Sequence, residues 1–342
     1  MVLSLALNGT RQYRRTPSLL LASEKPAVVM ATRRIVKIGS RGSALALRQN
    51  EEVLALLRPR YPDLDFQVVT VRTQGDINPD AALTNLGLGI FVKEIERLLL
   101  DGHLDMAIHS LKDLPTQLPD GLALGAMLRR RDPRDVLVNR WHCPLARLPA
   151  GARIGTGSPR RQALLKSLCP QATVLPIRGN VETRLRKAQG EDYDGAVLAA
   201  AGLVRLGLTQ HIADYLSPQR FVPPPGQGVL AVEVRADDDP MMDLLRPADH
   251  APTRYAATAE RAFLEKLGGG CQLPVGAYAR AQGDVMYLTV FLSSPDGHKA
   301  FRAKVEGLTH DPLQLASDAY LAVVERGGGR LLEVDWSELS KE

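Results

Sequence analysis

The sequence has few cysteines, few aromatic residues and no long apolar run. Its three cysteines lack CxxC spacing and stand apart from any histidine cluster, so we expect neither a disulfide framework nor a metal site in this 342-residue chain. Such sparse cysteine fits a reducing compartment. Because no run is long and apolar enough to span a bilayer, we expect no membrane partner. The length favours two or three domains.

Net charge is also missing from most of the chain. The formal charge of +5 is carried by residues 1–34, and beyond residue 34 the basic and acidic residues are equal in number. A balanced chain with 5% aromatic residues lacks the basic, base-stacking surface that is typical of nucleic-acid binding. We therefore expect no nucleic-acid partner.

The basic leader has two interpretations. It is rich in arginine and poor in acidic residues, as organellar transit peptides are, which would place the protein in a plastid or mitochondrion. Alternatively, "MATRRIVKIGS" from Met30 is an ordinary start that runs into a strand, and the residues before it are a disordered extension or a misplaced start. We expect the second case and a cytoplasmic protein.

Strand and helix patterns alternate from the end of this leader. The segments "RIVKIGS", "FQVVTVR" and "LDMAIH" predict strands, and helices are predicted between them over 44–57 and 90–100. This is a βαβ arrangement with a parallel sheet. The polar, aperiodic stretch over 73–89 predicts a long lid loop.

A second alternating block begins near residue 134. Its strands are "RIGTGS", "TVLPIR" and "DGAVLAA", with helices over 160–168 and 181–189. The Pro-Gly cluster "VPPPGQG" marks a boundary before the strand "VLAVEVR". Beyond it the pattern becomes one helix, alternating strands and a closing helix over 313–326, which predicts a small α+β domain. The expected units are an N-terminal extension over 1–32, an α/β domain over 33–130 and 226–247, a second over 131–225, and an α+β domain over 250–342.

Both α/β blocks contain a similar turn. "IGSRGSALALRQ" and "IGTGSPRRQALL" each read strand, glycine, hydroxyl, arginine, helix, which suggests paired domains that face one cleft. Unpaired amides at a helix N-terminus, together with guanidinium groups, favour a carboxylate or phosphate ligand. Alternatively, Ser43 and Ser158 are only helix caps and many arginines are solvated surface. The arginines at such turns, strand ends and helix termini are Arg41, Arg160, Arg161, Arg178, Arg184 and Arg205.

The segment "HSLKDLP" follows the predicted strand "LDMAI" at the carboxyl edge of the sheet, where open α/β sheets bind ligands. Asp113 is a candidate general acid/base or stabiliser of a cation, and Lys112 is a candidate ligand of a carboxylate. Alternatively, "KDLP" is a turn closed by an Asx-type hydrogen bond and a proline. We expect His109 to be buried and hydrogen-bonded.

The stretch "LGGGCQLPVG" places Cys271 directly after three glycines at the end of a predicted helix. Glycines allow the backbone to approach a bulky group, which suits a thiol that carries a large substituent. Alternatively, Cys271 is a buried structural residue in the loop that ends the helix. The residues alone leave both interpretations open.

Eight motifs in chain order, over residues 34–330, resemble the porphobilinogen deaminases, also called hydroxymethylbilane synthases. They are "IGSRGSALALRQ", "GIFVKEIE", "HSLKDLP", "GTGSPRRQ", "IRGNVETRL", "AAAGLVRLGL", "PPPGQG" and "ERAFLEKLGGGCQLPVGA". The resemblance implies two periplasmic-binding-protein-like α/β domains around a cleft, plus a smaller α+β C-terminal domain that carries the cysteine. It also implies a monomer that adds four porphobilinogen molecules to a covalent primer, with loss of ammonia, and then releases a linear tetrapyrrole by hydrolysis.

The resemblance also assigns roles to residues of this chain. Cys271 would hold a dipyrromethane cofactor through a thioether, and Asp113 would face the pyrrole nitrogens and stabilise the cation that forms when ammonia leaves. The residues that would bind cofactor and substrate are Arg41, Ser43, Phe91, Lys112, Thr156, Ser158, Arg160, Arg161, Arg178, Arg184 and Arg205. The sequence departs from the family pattern at Leu88, where relatives usually have a cleft lysine, and at Leu273, where they usually have a β-branched residue.

Two other functions are compatible with parts of this pattern. A solute-binding protein for a small anion would use the same pair of α/β domains, but it leaves "GGGCQLP" unexplained and needs a secretion signal that the sequence does not display. An inactive homologue would keep the motifs without turnover.

Overall fold

The computed structural model describes residues 34–71, 92–268 and 274–332. The predicted lid over 73–89 lies outside these ranges, as do Phe91 and Cys271. The strands are β1 (Arg34–Ser40), β2 (Leu64–Thr70), β3 (Met106–Ser110), β4 (Leu122–Met127), β5 (Asp135–Asn139), β6 (Arg153–Gly155), β7 (Thr173–Leu175), β8 (Gly195–Ala199), β9 (Asp214–Tyr215), β10 (Leu230–Arg235), β11 (Val275–Gln282), β12 (Val285–Ser293) and β13 (Ala300–Leu308). The helices are α1 (Ala44–Leu57), α2 (Lys93–Leu100), α3 (Pro159–Leu168), α4 (Val181–Lys187), α5 (Ala200–Arg205), α6 (Asp239–Leu245), α7 (Ala251–Lys266) and α8 (Pro312–Glu325).

The first sheet has the strand order β2-β1-β3-β10-β4. β1 is parallel to β2 and to β3, as the βαβ pattern predicts. β10 runs antiparallel between β3 and β4. The parallel arrangement expected for the first block is therefore confirmed for β1 to β3. The direction of β10 was not predicted, and this strand is supplied by the chain on its return from the second sheet.

The second sheet repeats this plan with the order β7-β6-β8-β5-β9. β6 is parallel to β7 and β8, and β5 runs antiparallel between β8 and β9. Each sheet thus contains one antiparallel strand next to its edge. These two strands, β5 and β10, lie beside the two places where the chain crosses from one sheet to the other.

Helices cover both faces of the first sheet. α1 places Val53, Leu54 and Leu57 against Ile38 in one apolar cluster, and α2 places Ile95 and Leu99 in another. Because side chains alternate along a strand, neighbouring residues of β3 contribute to different clusters. α1 begins at a serine cap and ends before "RPRYP", whose prolines cannot continue a helix.

The third sheet is antiparallel in the order β11-β12-β13, and α7 and α8 pack on it. Phe263 of α7 is fully buried against it. The expected class of two α/β domains and a smaller α+β C-terminal domain is confirmed. In the described part of the chain, the helices are too short or too polar to cross a membrane.

Candidate active site

The parallel strands of the first sheet bring the predicted residues to one edge. β1 ends at Ser40 and is followed by Arg41, and β3 ends at Ser110 and is followed by a 3₁₀ turn over Leu111–Asp113. Ends of parallel neighbours meet at the same edge, so Arg41 and the "LKD" turn lie on the same side of the sheet. Asp113 is exposed there, and Lys112 is half-buried.

The serines of the two similar turns both cap helices. Ser43 Oγ accepts a hydrogen bond from the Ala46 amide at 3.2 Å, and Ser158 Oγ accepts one from the Arg161 amide at 3.4 Å. Thr156 is fully buried, and its Oγ1 accepts from the Ser158 amide at 3.2 Å. The equivalence of the two turns is real, since each joins the first parallel strand of its sheet to a capped helix. Capping uses the hydroxyl oxygens of Ser43 and Ser158 as acceptors, so each of these two hydroxyls can still donate its proton to a ligand.

Arg160 and Arg161 converge on a buried carboxylate that the sequence analysis did not single out. Arg160 donates to Asp135 Oδ2 at 2.7 Å and to the Val222 carbonyl at 2.6 Å. Arg161 donates to Asp135 Oδ1 at 2.7 Å and to the Val197 carbonyl at 3.0 Å. The arginines are 4% and 6% exposed and Asp135 is 0% exposed. Two cations therefore share one anion, and the group keeps a net positive charge.

Gln227 joins this group to Lys112. Its amide nitrogen donates to Asp135 Oδ1 at 3.0 Å, and its amide oxygen accepts from Lys112 Nζ at 3.3 Å. Gln227 is 0% exposed and lies in the "PPPGQG" segment before β10. A buried amide thus connects a lysine of the first α/β domain to the arginine pair of the second.

Burial and the arginine pair change the charge balance at Lys112. Burial is the main reason that the pKa of Lys112 falls to about 8, and Arg161 and Arg160 lower it further, while Asp113 and Asp135 act in the opposite direction. The Lys112 ammonium therefore lies within electrostatic range of both carboxylates and both guanidinium groups. A carboxylate that binds beside this ammonium stabilises its charged form.

Arg178 and Arg184 extend the same positive region. Arg184 donates to the Gly179 carbonyl at 2.7 Å, and its pKa falls to about 10 because of burial and the repulsion of Arg161 and Arg178, opposed by Asp113. Arg178 follows β7 and is exposed. Asp113 of the first α/β domain therefore lies within electrostatic range of Arg184 of the second, so the two carboxyl edges carry charges that act on one another.

Arg205 has a different set of contacts. Its Nε donates to Glu52 Oε2 at 2.9 Å, while Arg131 donates to Glu52 Oε1 at 2.9 Å. The side chain of Arg205 is 6% exposed. Burial alone raises the pKa of Glu52, but these two arginines outweigh it and lower that pKa. Glu52 belongs to α1 and Arg205 to α5, so the pair joins the two α/β domains, and the predicted ligand role of Arg205 stays a prediction.

A second buried pair ties the C-terminal domain to the chain crossings. Arg130 donates to Glu260 Oε1 at 2.8 Å, and the two oxygens of Glu260 also accept from the amides of Ala279 and Gly226 at 2.7 and 2.8 Å. Burial raises the pKa of this glutamate, although all three partners oppose the shift. Glu260 thus contacts both segments that link the α/β domains.

His109 is 6% exposed, so its expected burial is confirmed, but its Nε2, which lies 3.1 Å from Glu233 Oε2, does not make the expected hydrogen bond there. Sequence reasoning missed Glu52, Asp135, Gln227 and Glu260. Asp135 had one usable signal, because it directly precedes the apolar run "VLV" in a strand that is buried throughout. Within residues 34–71, 92–268 and 274–332, no group of three or more His, Cys, Asp or Glu side chains is placed to hold a metal ion.

Comparison with known proteins identifies the group of proteins to which this arrangement belongs. Residues 36–243 match the family model described as "Porphobilinogen deaminase, dipyromethane cofactor binding domain", and residues 254–322 match "Porphobilinogen deaminase, C-terminal domain". The curated porphobilinogen deaminase of Syntrophus aciditrophicus is 42% identical over 299 residues, which are 87% of this chain and 98% of the relative. That of a Roseiflexus species is 46% identical over 296 residues, covering 86% and 97%.

Among solved structures, a TRAP periplasmic solute-binding protein from Ochrobactrum anthropi aligns with a TM-score of 0.37 at 12% identity over 63% of this chain and 73% of that one, a likeness too remote to carry an argument. The curated relatives are matched over nearly their whole length, and both family models follow one another in the expected order. The chain therefore belongs to the porphobilinogen deaminase family.

Proposed function

We propose that this chain condenses four porphobilinogen molecules stepwise onto a dipyrromethane primer, with release of ammonia at each step, and then frees hydroxymethylbilane by hydrolysis. The observation that carries the proposal is the charge of the cleft. Five cationic side chains and two carboxylates meet there, and the cations are Lys112, Arg160, Arg161, Arg178 and Arg184. A cleft with this surplus favours a ligand that carries several carboxylates.

The residues present fit the dipyrromethane cofactor that the family model names. Each pyrrole of such a group carries two carboxylates, and the buried arginine pair keeps one positive charge more than Asp135 neutralises. When bound, the cofactor supplies the nucleophilic pyrrole carbon to which the first substrate is joined. Cys271, which lies outside the described residues, is the proposed attachment point, since it is the cysteine of the matching "GGGCQLPVG" motif.

We assign the proton and charge chemistry to Asp113. Its carboxylate is exposed at the cleft and lies within the fields of Lys112 and Arg184. A carboxylate in that place stabilises positive charge on the substrate ring as ammonia departs, and it can accept the proton released when the new bond forms. The neighbouring cations hold the substrate carboxylates, so that the ring nitrogen is presented to Asp113.

The remaining assignments belong to the same proposal. Ligand contacts from Arg41, Ser43, Thr156 and Ser158 rest on their position at the two capped turns, and those from Phe91 and Arg205 rest on the motif match. The proposed domains are 33–130 with 226–247, 131–225 and 250–342, and the N-terminal extension covers 1–32. We also propose a monomeric, cytoplasmic enzyme, in keeping with its sparse cysteines.

The mass of the purified protein tests the proposal first. The chain should be heavier than its sequence by one pyrrole dimer, and Cys271→Ser should lack that increment and form no product. A chain that matches its sequence mass but binds small anions would instead be a solute-binding protein. Product formation by Cys271→Ser would contradict the attachment.

Substitution of Asp113 tests the chemistry. Asp113→Asn should keep the added mass and lose about 10²–10⁴-fold in kcat, because a positioned acid/base contributes that much. Asp120→Asn, an exposed carboxylate a few residues further along the chain, is the matched control and should retain parental kcat. Parental turnover by Asp113→Asn would exclude the proposed role.

A further inference from the structure

One side of α7, called the stripe below, packs along the chain segment that comes directly after Asp113, the proposed catalytic residue. Ala257, Arg261 and Glu265 are spaced four residues apart, so they lie along one side of the helix. Ala257 packs in an apolar cluster with Leu111, the first residue of the "LKD" turn, and with Leu114, which directly follows the turn. This stripe therefore runs along the segment instead of crossing it at a single point.

Arg261 makes the main polar contacts of the stripe. Its guanidinium donates to the Pro115 carbonyl at 2.6 Å, to the Thr116 carbonyl at 2.9 Å and to the Leu114 carbonyl at 3.4 Å. Burial lowers the pKa of Arg261 and is opposed by Glu265 and Glu233. One turn further along, Glu265 Oε1 accepts a hydrogen bond from the side-chain Nε2 of Gln117 at 2.9 Å. Four consecutive residues after Asp113 are thus held from α7.

These contacts connect the segment next to Asp113 with the helix that leads to Cys271. Asp113 ends a single 3₁₀ turn, which is held on its N-terminal side by β3. On its C-terminal side, the chain is held by the three carbonyl contacts to Arg261. α7 itself ends at Lys266, and Cys271 follows five residues later. The same helix therefore leads to Cys271, the proposed attachment point of the primer, and binds the segment next to Asp113, the proposed acid/base.

We infer that Arg261 is a positioning residue of the reaction, which fixes the "LKD" turn relative to the helix that leads to the cofactor cysteine. The inference rests on the proposed function. Arginine suits this role because its planar fork reaches several carbonyls at once, whereas lysine offers a single charged nitrogen. Small displacements of a reacting group lower turnover strongly. Loss of the hydrogen bonds from Arg261 should therefore lower kcat more than it changes KM.

The chain offers a matched control on the same helix. Arg254 also donates to two consecutive carbonyls of the first sheet, those of Leu124 and Gly125 at 3.2 and 3.3 Å, and it pairs with Asp249. These hydrogen bonds are made to Leu124, Gly125 and Asp249, none of which belongs to residues 111–117. Arg254→Met therefore removes a comparable link between α7 and the first domain while leaving the segment after Asp113 in place.

The experiment compares the parent, Arg261→Met, Arg261→Lys and Arg254→Met. Hydrogen exchange of a peptide covering 111–117 should be about tenfold or more faster in Arg261→Met and unchanged in Arg254→Met, because charged hydrogen bonds are lost from that segment only. With the pyrrole mass still attached, kcat of Arg261→Met should fall about 10–100-fold with KM within about threefold. Arg261→Lys should lie between the parent and Arg261→Met in both measurements.

Equal exchange over 111–117 in Arg261→Met and the parent would overturn the inference, and so would a kcat loss that Arg254→Met reproduces. If Arg261→Met does not fold, Arg261→Lys decides the question, since parental exchange and kcat in that variant would equally overturn it. A parent without the pyrrole mass or without product would remove the proposed function itself, whatever the exchange data show.

Discussion

Replacement of Asp135 by asparagine should be among the most damaging single changes in the second domain. Although burial by itself raises the pKa of Asp135, Arg160, Arg161 and Gln227 outweigh it and lower that pKa from 3.8 to about 2. A shift of that size corresponds to about 2–3 kcal/mol of stabilisation. Asparagine also leaves two buried guanidinium groups without a counter-charge, and breaking such a buried pair costs about 3–5 kcal/mol. We expect a loss of about 3–5 kcal/mol in the free energy of unfolding.

Urea unfolding followed by circular dichroism measures this loss. Asp132→Asn is the control, because Asp132 accepts four hydrogen bonds from Arg134 at a site where the two side chains are 22% and 39% exposed. An ion pair that water reaches in this way contributes about 0–1 kcal/mol. A variant at residue 135 that unfolds within about 1 kcal/mol of the parent, or no lower than the control, would refute the reasoning.

The ion pairs of Asp135 also predict that the protein loses stability at low pH. Because the pKa of Asp135 is lowered in the folded protein, its stabilisation is fully present above about pH 4 and is lost as pH falls towards 2. The parent should therefore lose stability over this window by more than Asp135→Asn does. Parallel curves for the two proteins between pH 4 and pH 2 would contradict the assigned cause.

Three further predictions concern binding and the chain crossings. Lys112, with its pKa near 8, should lose its charge as pH rises through that value, so KM for porphobilinogen should climb above about pH 8 in the parent but not in Lys112→Arg; identical pH series would contradict this. Gly228→Ala places a Cβ 2.7 Å from a backbone oxygen at φ +86°, so its melting temperature should fall further than that of Gly207→Ala, which has φ +70° and open space and should cost about 1–2 kcal/mol; equal shifts would contradict the steric argument. The double variant that combines Glu52→Gln with Arg205→Gln should lose less free energy of unfolding than the two single variants added together, and the difference should be about 0.5–3 kcal/mol. Strictly additive losses would show that the pair is not coupled.

Strand and helix positions followed closely from periodicity, whereas strand direction did not. The first helix is found over the predicted residues 44–57, but "FQVVTVR" was expected two residues late, since β2 is Leu64–Thr70. Alternation of side chains defines the faces of a strand more sharply than its ends. The buried segment "VLAVEVR" has the same pattern in either direction, so its antiparallel place between β3 and β4 is set by the path of the chain.

The site was predictable where it depends on strand ends and hidden where it depends on distant partners. Position after a strand was enough to select Lys112 and Asp113. It gave no indication that Arg160 and Arg161 are buried against Asp135, which is 25 residues away in sequence from the first of them. Nor did it indicate the contact of Arg205 with a glutamate 153 residues away. Such pairings are a property of the folded chain, and an arginine-rich composition offers many equivalent choices.

The place of β10 in the first sheet has a consequence for synthesis on the ribosome. β4 joins that sheet through β10, so the sheet stays incomplete until residue 235 has emerged. At about 5–20 residues per second, the roughly hundred residues between the two strands delay closure by about 5–20 s. During that interval the nascent chain exposes an unpaired strand edge, and the first half of the molecule depends on the second half to finish folding.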